Sequence, residues 1–156
     1  MADFILHREI IPVEPYPFPQ GAFQIYGNGN FYNGFSIGDT FKLSVVNRGG
    51  VLKFSREAAK WTDWTYVMLG TIPQNNKVSI YIDIASPLPN DVAGSFKIGT
   101  STLTTSDPWS KAQIYHTESS GKQNLQAGGR LSIAFNSSID LEAIPNLCSV
   151  RALWVK

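Results

Sequence analysis

The chain has 156 residues, a length that predicts one domain. Its formal net charge is +1, and 16% of its residues are charged. A charge this close to zero argues against a nucleic-acid partner, because phosphate backbones attract proteins with a surplus of Lys and Arg. Cys148 is the one cysteine, which excludes a disulfide within the chain. Low charge with many hydroxyl and amide side chains is commoner in extracellular, lectin-like and virion proteins than in cytosolic enzymes.

The first eleven residues, MADFILHREII, do not have the pattern of a signal peptide. An acidic residue stands near the start, charges interrupt the apolar stretch, and a small-residue cleavage site is missing. The apolar runs of the sequence are much shorter than the roughly 20 residues that span a bilayer. We therefore expect synthesis in a cytoplasm without membrane insertion, and a final location on a virion or outside the cell.

Residues 12–19, PVEPYPFP, carry four prolines, which fix φ and remove backbone donors. This composition favours polyproline II over helix or central strand. We predict an extended arm over residues 1–20, followed by one β-sandwich domain over residues 21–156. The arm either lies on its own domain or clasps a neighbouring subunit. The apolar residues proposed for such a subunit interface are Ile10, Ile11, Tyr16, Phe18 and, in the last strand, Trp154.

After the arm, short apolar and polar alternations are interrupted by Gly, Asn, Pro and Asp, a pattern typical of all-β proteins. The clearest strand is 78–84, where Val and Ile alternate with Ser, Tyr and Asp. A single short helix is predicted over 55–61, SREAAKW. The fold class is therefore an antiparallel, jelly-roll-like β-sandwich. The other predicted strands are 22–26, 41–45, 51–54, 64–69, 95–98, 111–117, 131–135, 138–143 and 150–154.

One pentapeptide, Gly34-Phe35-Ser36-Ile37-Gly38, fits the G-x-S-x-G pattern of serine hydrolases. In those enzymes the serine stands between a strand and a helix, at a sharp turn beside an oxyanion hole. Here a strand pattern follows, and a parallel α/β framework is not predicted. We expect the two glycines to shape a turn between strands, we predict no catalytic residue, and we expect the protein not to be an enzyme.

The histidine, cysteine and carboxylate pattern does not predict a metal or cofactor. His7 and His116 are far apart in the sequence, and the cysteine is not part of a C-x-x-C pair. A calcium site made of loop oxygens stays open as an alternative, although turn formation explains the same residues. The residues concerned are Asp83, Asn90, Asp91 and Asp107.

The segment 26–34, YGNGNFYNG, combines aromatic, amide and glycine residues. Sugar rings stack their C–H faces on aromatic rings and exchange hydrogen bonds with amides, so this composition suits a glycan. The alternative is a long glycine-rich hairpin or a subunit contact, with its rings packed inward. Three tryptophans lie beside turns, where they are ligand platforms, interface anchors or core residues at the edge of the sandwich: Trp61, Trp64 and Trp109. The predicted glycan contacts are Asn28, Asn30, Phe31, Tyr32, Asn33 and Trp109.

The arm, the all-β pattern and the low charge together predict a non-enzymatic structural or adhesion module of a virion. A bacteriophage tail, baseplate or head-decoration protein is the class expected, acting as a symmetric homo-oligomer that contacts other virion proteins and can also contact a neutral glycan. The alternative is a free-standing soluble lectin that binds a neutral glycan.

Overall fold

The computed structural model describes residues 15–58, 60, 64–72, 76–99, 101–105, 107, 109–117, 123–125, 128–137 and 142–156. Strands account for all the regular structure in these ranges. In chain order they are β1 (Phe23–Gly27), β2 (Asn30–Phe31), β3 (Thr40–Phe41), β4 (Leu43–Arg48), β5 (Val51–Arg56), β6 (Thr65–Thr71), β7 (Asn76–Val78), β8 (Ile80–Ser86), β9 (Val92–Ile98), β10 (Ser101–Leu103), β11 (Ile114–His116), β12 (Gln123–Leu125), β13 (Arg130–Ser137) and β14 (Ile144–Val155).

The strands form two main antiparallel sheets. Sheet A has the order β11-β8-β14-β1-β2, with β5 also paired to β14 and β4 paired to β5. Sheet B has the order β10-β9-β13-β6-β3, and β7 pairs with β12 in a separate ribbon. The predicted all-β, antiparallel architecture is confirmed.

The hydrophobic core lies between the two sheets. Phe54 of β5 and Phe135 of β13 meet across it edge to face, with ring centroids 5.3 Å apart. The alternating isoleucines Ile80, Ile82 and Ile84 of β8 are fully buried in the same core. The period-2 pattern of the sequence therefore identified the inward face of β8, because successive residues of a strand point to opposite sides.

Strand β14 is the long central strand of sheet A. Its residues Cys148–Val150 pair with β5, whereas Ala152–Val155 pair with β1. Strand β8 pairs with β14 on the other side. A register shift between Val150 and Ala152 marks the point where the neighbour changes, as is common where a strand bends. This one strand therefore joins the two halves of the sheet.

The predicted strand 41–45 is two strands in two different sheets. Thr40 and Phe41 pair with β6 of sheet B, whereas Leu43 begins the strand that pairs with β5 of sheet A. Lys42 between them has a φ of 52°, a left-handed conformation that turns the chain. Alternation alone did not reveal this change of sheet.

The helix predicted over 55–61 is wrong where the chain is described. Ser55 pairs with Ser44 and Arg56 with Leu43 at the end of β5, so the sheet takes their backbone hydrogen bonds. Two helical turns are marginal without tertiary support. Within the described ranges no helix is present that would span a membrane. The strand predicted over 138–143 lies mostly outside the described residues.

Candidate functional site

The segment proposed for glycan contact folds into a tight β-hairpin. Tyr26 pairs with Phe31 and Gly27 with Asn30, which leaves Asn28 and Gly29 as a two-residue loop. Both loop residues have positive φ, 44° and 93°. That is the geometry of a type I′ turn, for which Asn-Gly is the preferred sequence.

The two hairpin rings proposed as glycan contacts are engaged in packing. Phe31 lies against Tyr26 with ring centroids 4.9 Å apart, and Tyr32 packs edge to face on Phe18 at 5.6 Å. Asn33 is exposed, but its amide donates to the Gln24 carbonyl at 2.7 Å. The inward-packing alternative therefore describes these rings better, and glycan binding at the hairpin stays a prediction.

Two of the amides proposed with them keep surface positions. Asn30 is exposed at the start of β2. Asn28 is half-buried and lines a groove of about 450 Å³ beside the described end of the arm. The structure thus brings together Asn28 and the arm, which the sequence analysis treated separately.

Tyr26 anchors the hairpin to the neighbouring hairpin of β4 and β5. Its hydroxyl donates to Asn47 Oδ1 at 2.8 Å, and Asn47 Nδ2 donates to the Gly29 carbonyl at 3.0 Å. Burial raises the pKa of Tyr26 from 10.0 to about 12, a shift that a hydrogen bond from the Gly29 backbone partly opposes. The neutral phenol is therefore the form that stabilises the folded chain.

This anchor predicts a pH-dependent loss of stability. Because the pKa of Tyr26 is higher in the folded than in the unfolded chain, its contribution is complete below pH 10 and is lost as the pH rises towards 12. Tyr26→Phe should lower the free energy of unfolding by about 1 kcal/mol at neutral pH and flatten the decline between pH 10 and 12. Thermal melting across this range measures both effects, with Tyr66→Phe as the control that leaves the anchor intact. An unchanged decline in Tyr26→Phe would contradict the assignment.

Trp109 is fully buried, so we remove it from the predicted glycan contacts. Its indole packs on Phe96 and Phe135, with centroids 5.5 and 5.8 Å away. Its Nε1 donates to Thr105 Oγ1 at 3.0 Å. The core alternative, which the sequence analysis left open, applies to this tryptophan because the loop after β10 folds it between the sheets.

The G-x-S-x-G segment runs beside β6 and does not form a nucleophile elbow. The amide of Ser36 donates to the Leu69 carbonyl at 2.9 Å, and that of Gly38 to the Met68 carbonyl at 2.8 Å. Ser36 opens into a groove of about 320 Å³. Of the described residues that line this groove none is a histidine, the usual base for a serine nucleophile. This geometry supplies no activated serine.

The acidic residues considered for calcium are not gathered. In the part of the chain that the structure describes, no three His, Cys, Asp or Glu side chains are close enough to share a metal ion. Asp83 instead accepts from Tyr16 and pairs with Arg151 on the outside of sheet A. Asp91 and Asp107 are exposed on loops.

The described part of the arm lies on its own domain. Tyr16 and Phe18 pack on Trp154 of β14, with centroids 5.7 and 5.9 Å from the indole. Trp154 is consequently 2% exposed. Ile10 and Ile11 lie outside the described residues, and a contact between subunits stays a prediction.

The outer face of sheet B carries a row of aromatic side chains that the sequence analysis did not assemble. In β6, Val67 and Leu69 are buried in the core, so the alternate residue Tyr66 lies on the other face. Phe41 of β3 is directly opposite Tyr66. Their rings stack at 6.0 Å with an interplanar angle of 18°, and Phe41 is 43% exposed.

A third ring lies on the same face, one residue before β6. Trp64 is half-buried and stands two residues before Tyr66. Lys97 of β9 holds its Nζ over the indole, 4.7 Å from the ring centroid, a distance at which cation and ring attract. We call the three rings of Trp64, Tyr66 and Phe41 the sheet B platform.

Small side chains continue the platform across the sheet. Ala134 of β13 is opposite Tyr66 and is in turn opposite Ser95 of β9. Ser95 is 4% exposed, and its Oγ finds no hydrogen-bond partner within the described chain. Ser132 and Lys97 form the next pair of the same face. The platform therefore places flat apolar rings beside hydroxyl and ammonium groups.

Sequence reasoning missed this platform because its rings come from β3 and from the beginning of β6, while the side chains beside them come from β9 and β13. The alternation Trp64-Thr65-Tyr66 was the one local signal, since two rings two residues apart share a face of a strand. Which other strands lie beside them depends on the register of the sheet, which composition does not supply.

No protein-family model matches the chain, and no curated protein matches it. Among solved structures, the chain is similar to a mutant of a carbohydrate-binding module of family 29, with 12% sequence identity and a TM-score of 0.48. The similarity covers 86% of each chain. At this level of identity the likeness does not assign the chain to that family and transfers no ligand to it.

Proposed function

We propose that this chain is a non-catalytic binding module that holds a neutral glycan on the sheet B platform. The observation that carries the proposal is the group of Trp64, Tyr66 and Phe41 on the outer face of sheet B, where Phe41 is exposed and both Trp64 and Tyr66 are half-buried, beside the buried unpaired hydroxyl of Ser95. A pyranose has an apolar face that stacks on such rings and hydroxyls that pair with such polar groups. The rings supply the apolar surface, and Lys97 and the buried Ser95 are the polar residues beside them.

The cations of this face are already engaged with its aromatic rings. Two cations of the described chain lie over the platform, and each is engaged with a ring: Lys97 Nζ is over Trp64, and Lys42 Nζ is 5.6 Å from the centroid of the Phe41 ring. A fixed acidic ligand would call for a cluster of cations or a bidentate Arg. We therefore expect sugar hydroxyls, and not carboxylate or sulfate groups, to be the polar groups recognised.

Binding should depend on the indole of Trp64. Trp64→Ala should weaken binding of a neutral oligosaccharide at least about tenfold, or ~1.4 kcal/mol, because the ring is the largest stacking surface of the platform. A glycan array identifies the oligosaccharide, and isothermal titration calorimetry measures its affinity for each variant. Thermal melting checks that the half-buried Trp64 is not required for folding.

Tyr32→Ala is the matched control, because it removes an aromatic ring from the hairpin for which the sequence predicts glycan contacts. We expect Tyr32→Ala to retain affinity. Loss of binding in Tyr32→Ala with full affinity in Trp64→Ala would move the site to the hairpin and contradict the platform. If the wild type and both variants, Trp64→Ala and Tyr32→Ala, bind none of the neutral glycans on the array, glycan binding itself is contradicted.

The setting that we propose for this module is the surface of a virion, where it acts in adhesion as a symmetric homo-oligomer. The low charge and the proline-rich arm support this setting. The alternative, a free-standing lectin, would use the same platform. The mass in solution, measured by light scattering, separates them: a closed oligomer supports the assembly, whereas a monomer at all concentrations favours the free-standing lectin.

A further inference from the structure

A second aromatic row lies on the outer face of sheet A, away from the sheet B platform. Tyr81 of β8 is opposite Trp154 of β14 on one side and His116 of β11 on the other. The rings of Tyr81 and Trp154 are parallel within 4°, with centroids 5.4 Å apart, and His116 lies 5.1 Å from Tyr81. Three adjacent strands thus present one continuous aromatic surface.

The described end of the arm covers one end of this surface. Tyr16 and Phe18 pack on Trp154 and on each other, with their own ring centroids 4.8 Å apart. They also lie so close to Gly27 of β1 that a Cβ atom there would be 2.5 Å from Phe18 Cζ. Trp154 is covered by these rings, whereas His116 at the other end is exposed.

Tyr16 makes two contacts of the kind that a sugar makes with a lectin. Its ring lies over Trp154 at a tilt of 38°, and its hydroxyl donates to Asp83 Oδ2 at 2.9 Å. The other oxygen of Asp83 is held by Arg151 at 3.3 Å. Burial and the hydrogen bond to Asp83 raise the pKa of the Tyr16 hydroxyl, so it remains a donor at every physiological pH.

A buried donor under the arm remains without a partner. Within the described part of the chain, Trp154 Nε1 has no hydrogen bond, although the residue is only 2% exposed. Buried donors are nearly always satisfied, and an unpaired one is costly. The ring of Tyr16 offers Trp154 a stacking partner but no acceptor, whereas a pyranose offers both a face and hydroxyl oxygens.

We propose that Tyr16 and Phe18 are a built-in cover over a second sugar-binding site, with Trp154 as its stacking floor and Asp83 as its hydroxyl acceptor, and that a neutral pyranose displaces them. An open groove of about 450 Å³ adjoins the cover, lined by Pro15, Tyr16, Pro17, Asn28, Asp83 and Arg151. A ligand has access to Asp83 through this groove. Because the cover competes with the ligand, the apparent affinity is reduced by the fraction of covered molecules.

The experiment uses the entire 156-residue chain with Trp64→Ala, so that binding at the sheet B platform does not interfere. In this background, Tyr16→Ala with Phe18→Ala should raise the affinity for a neutral oligosaccharide at least tenfold. The probes are maltohexaose, cellohexaose and mannohexaose, titrated separately. The site-specific readout is the indole N–H resonance of Trp154, assigned by its absence in Trp154→Phe, which should shift on addition of sugar.

Adding Asp83→Asn to the uncovered variant should remove most of the gain, whereas Lys53→Ala, an exposed change on β5, should leave it intact. If the double alanine variant does not fold, Tyr16→Phe provides the test, because it keeps the ring and removes the bond to Asp83. It should give a smaller shift of the same resonance.

A Trp154 resonance that none of the three probes moves in the uncovered protein would overturn the proposal. A doubling of the mass of the uncovered protein without a sugar-dependent shift would also overturn it. In that case a second copy of the chain would occupy the surface of Trp154 that Tyr16 and Phe18 normally cover. The sheet B platform is tested separately by Trp64→Ala in the covered protein. Each of the two proposals can therefore fail while the other holds.

Discussion

Replacing Trp109 with alanine should destabilise the domain by about 3–5 kcal/mol, the range for large aromatic residues truncated in a core. The indole is fully buried and packs on Phe96 and Phe135, so its removal leaves a cavity lined by these two rings. It also removes the donor that satisfies Thr105 Oγ1. Urea denaturation followed by circular dichroism measures the change in the free energy of unfolding.

Gly94 provides the matched test of this packing. A Cβ atom at Gly94 would lie 2.2 Å from Cε3 of Trp109, so Gly94→Ala should displace the indole and destabilise the wild type strongly. In the Trp109→Ala background the same change should cost much less, because the clashing ring is gone. Equal costs in the two backgrounds would show that Gly94 is required for another reason and would contradict the contact.

Gly27→Ala should release the described end of the arm. The added methyl group would lie 2.5 Å from Phe18 Cζ and 2.7 Å from Tyr16 Cβ. Both rings already pack on Trp154, so they cannot move towards it to avoid the methyl group. Each aromatic ring that loses its burial costs roughly 1.5–3 kcal/mol. The midpoint temperature of thermal unfolding should fall. Acrylamide should quench the tryptophan fluorescence more strongly, because Trp154 is uncovered.

The control for this prediction is the double variant Tyr16→Ala with Phe18→Ala of the same 156-residue chain. In that background Gly27→Ala should be nearly neutral, since the groups that it displaces are absent. A loss of stability of the same size in both backgrounds would contradict the contact between the arm and Gly27. A fall in oligomeric mass in Gly27→Ala would instead indicate that the arm also joins subunits.

The sequence predicted well those elements that are governed by local periodicity. Ile80, Ile82 and Ile84 were placed on one face, and that face is the core. A glycine-rich hairpin was among the alternatives for segment 26–34, and Asn28-Gly29 forms its two-residue turn. In both cases the cause lies within a few residues, in the alternation of strand side chains and in the tolerance of Asn and Gly for positive φ.

Features that depend on contacts between distant segments were harder to predict. Trp109 looked like a surface platform because it follows a turn, but the loop after β10 folds it into the core beside Gly94. Phe41 looked like part of one strand with Leu43, but the turn at Lys42 sends it to the other sheet. The partners of Trp64 and Trp154 likewise come from strand register and from the path of the arm.

The central position of β14 has a consequence for how the molecule is made. Strands β1 and β5 appear early in the sequence, yet both find their pairing partner in β14, near residue 150. A ribosome releases these segments long before that partner emerges, so their edges stay open to wrong neighbours during synthesis. Non-local pairing of this kind folds slowly, in milliseconds to seconds. Newly made chains should therefore benefit from a chaperone that shields strand edges, and overproduction at low temperature should increase the soluble yield.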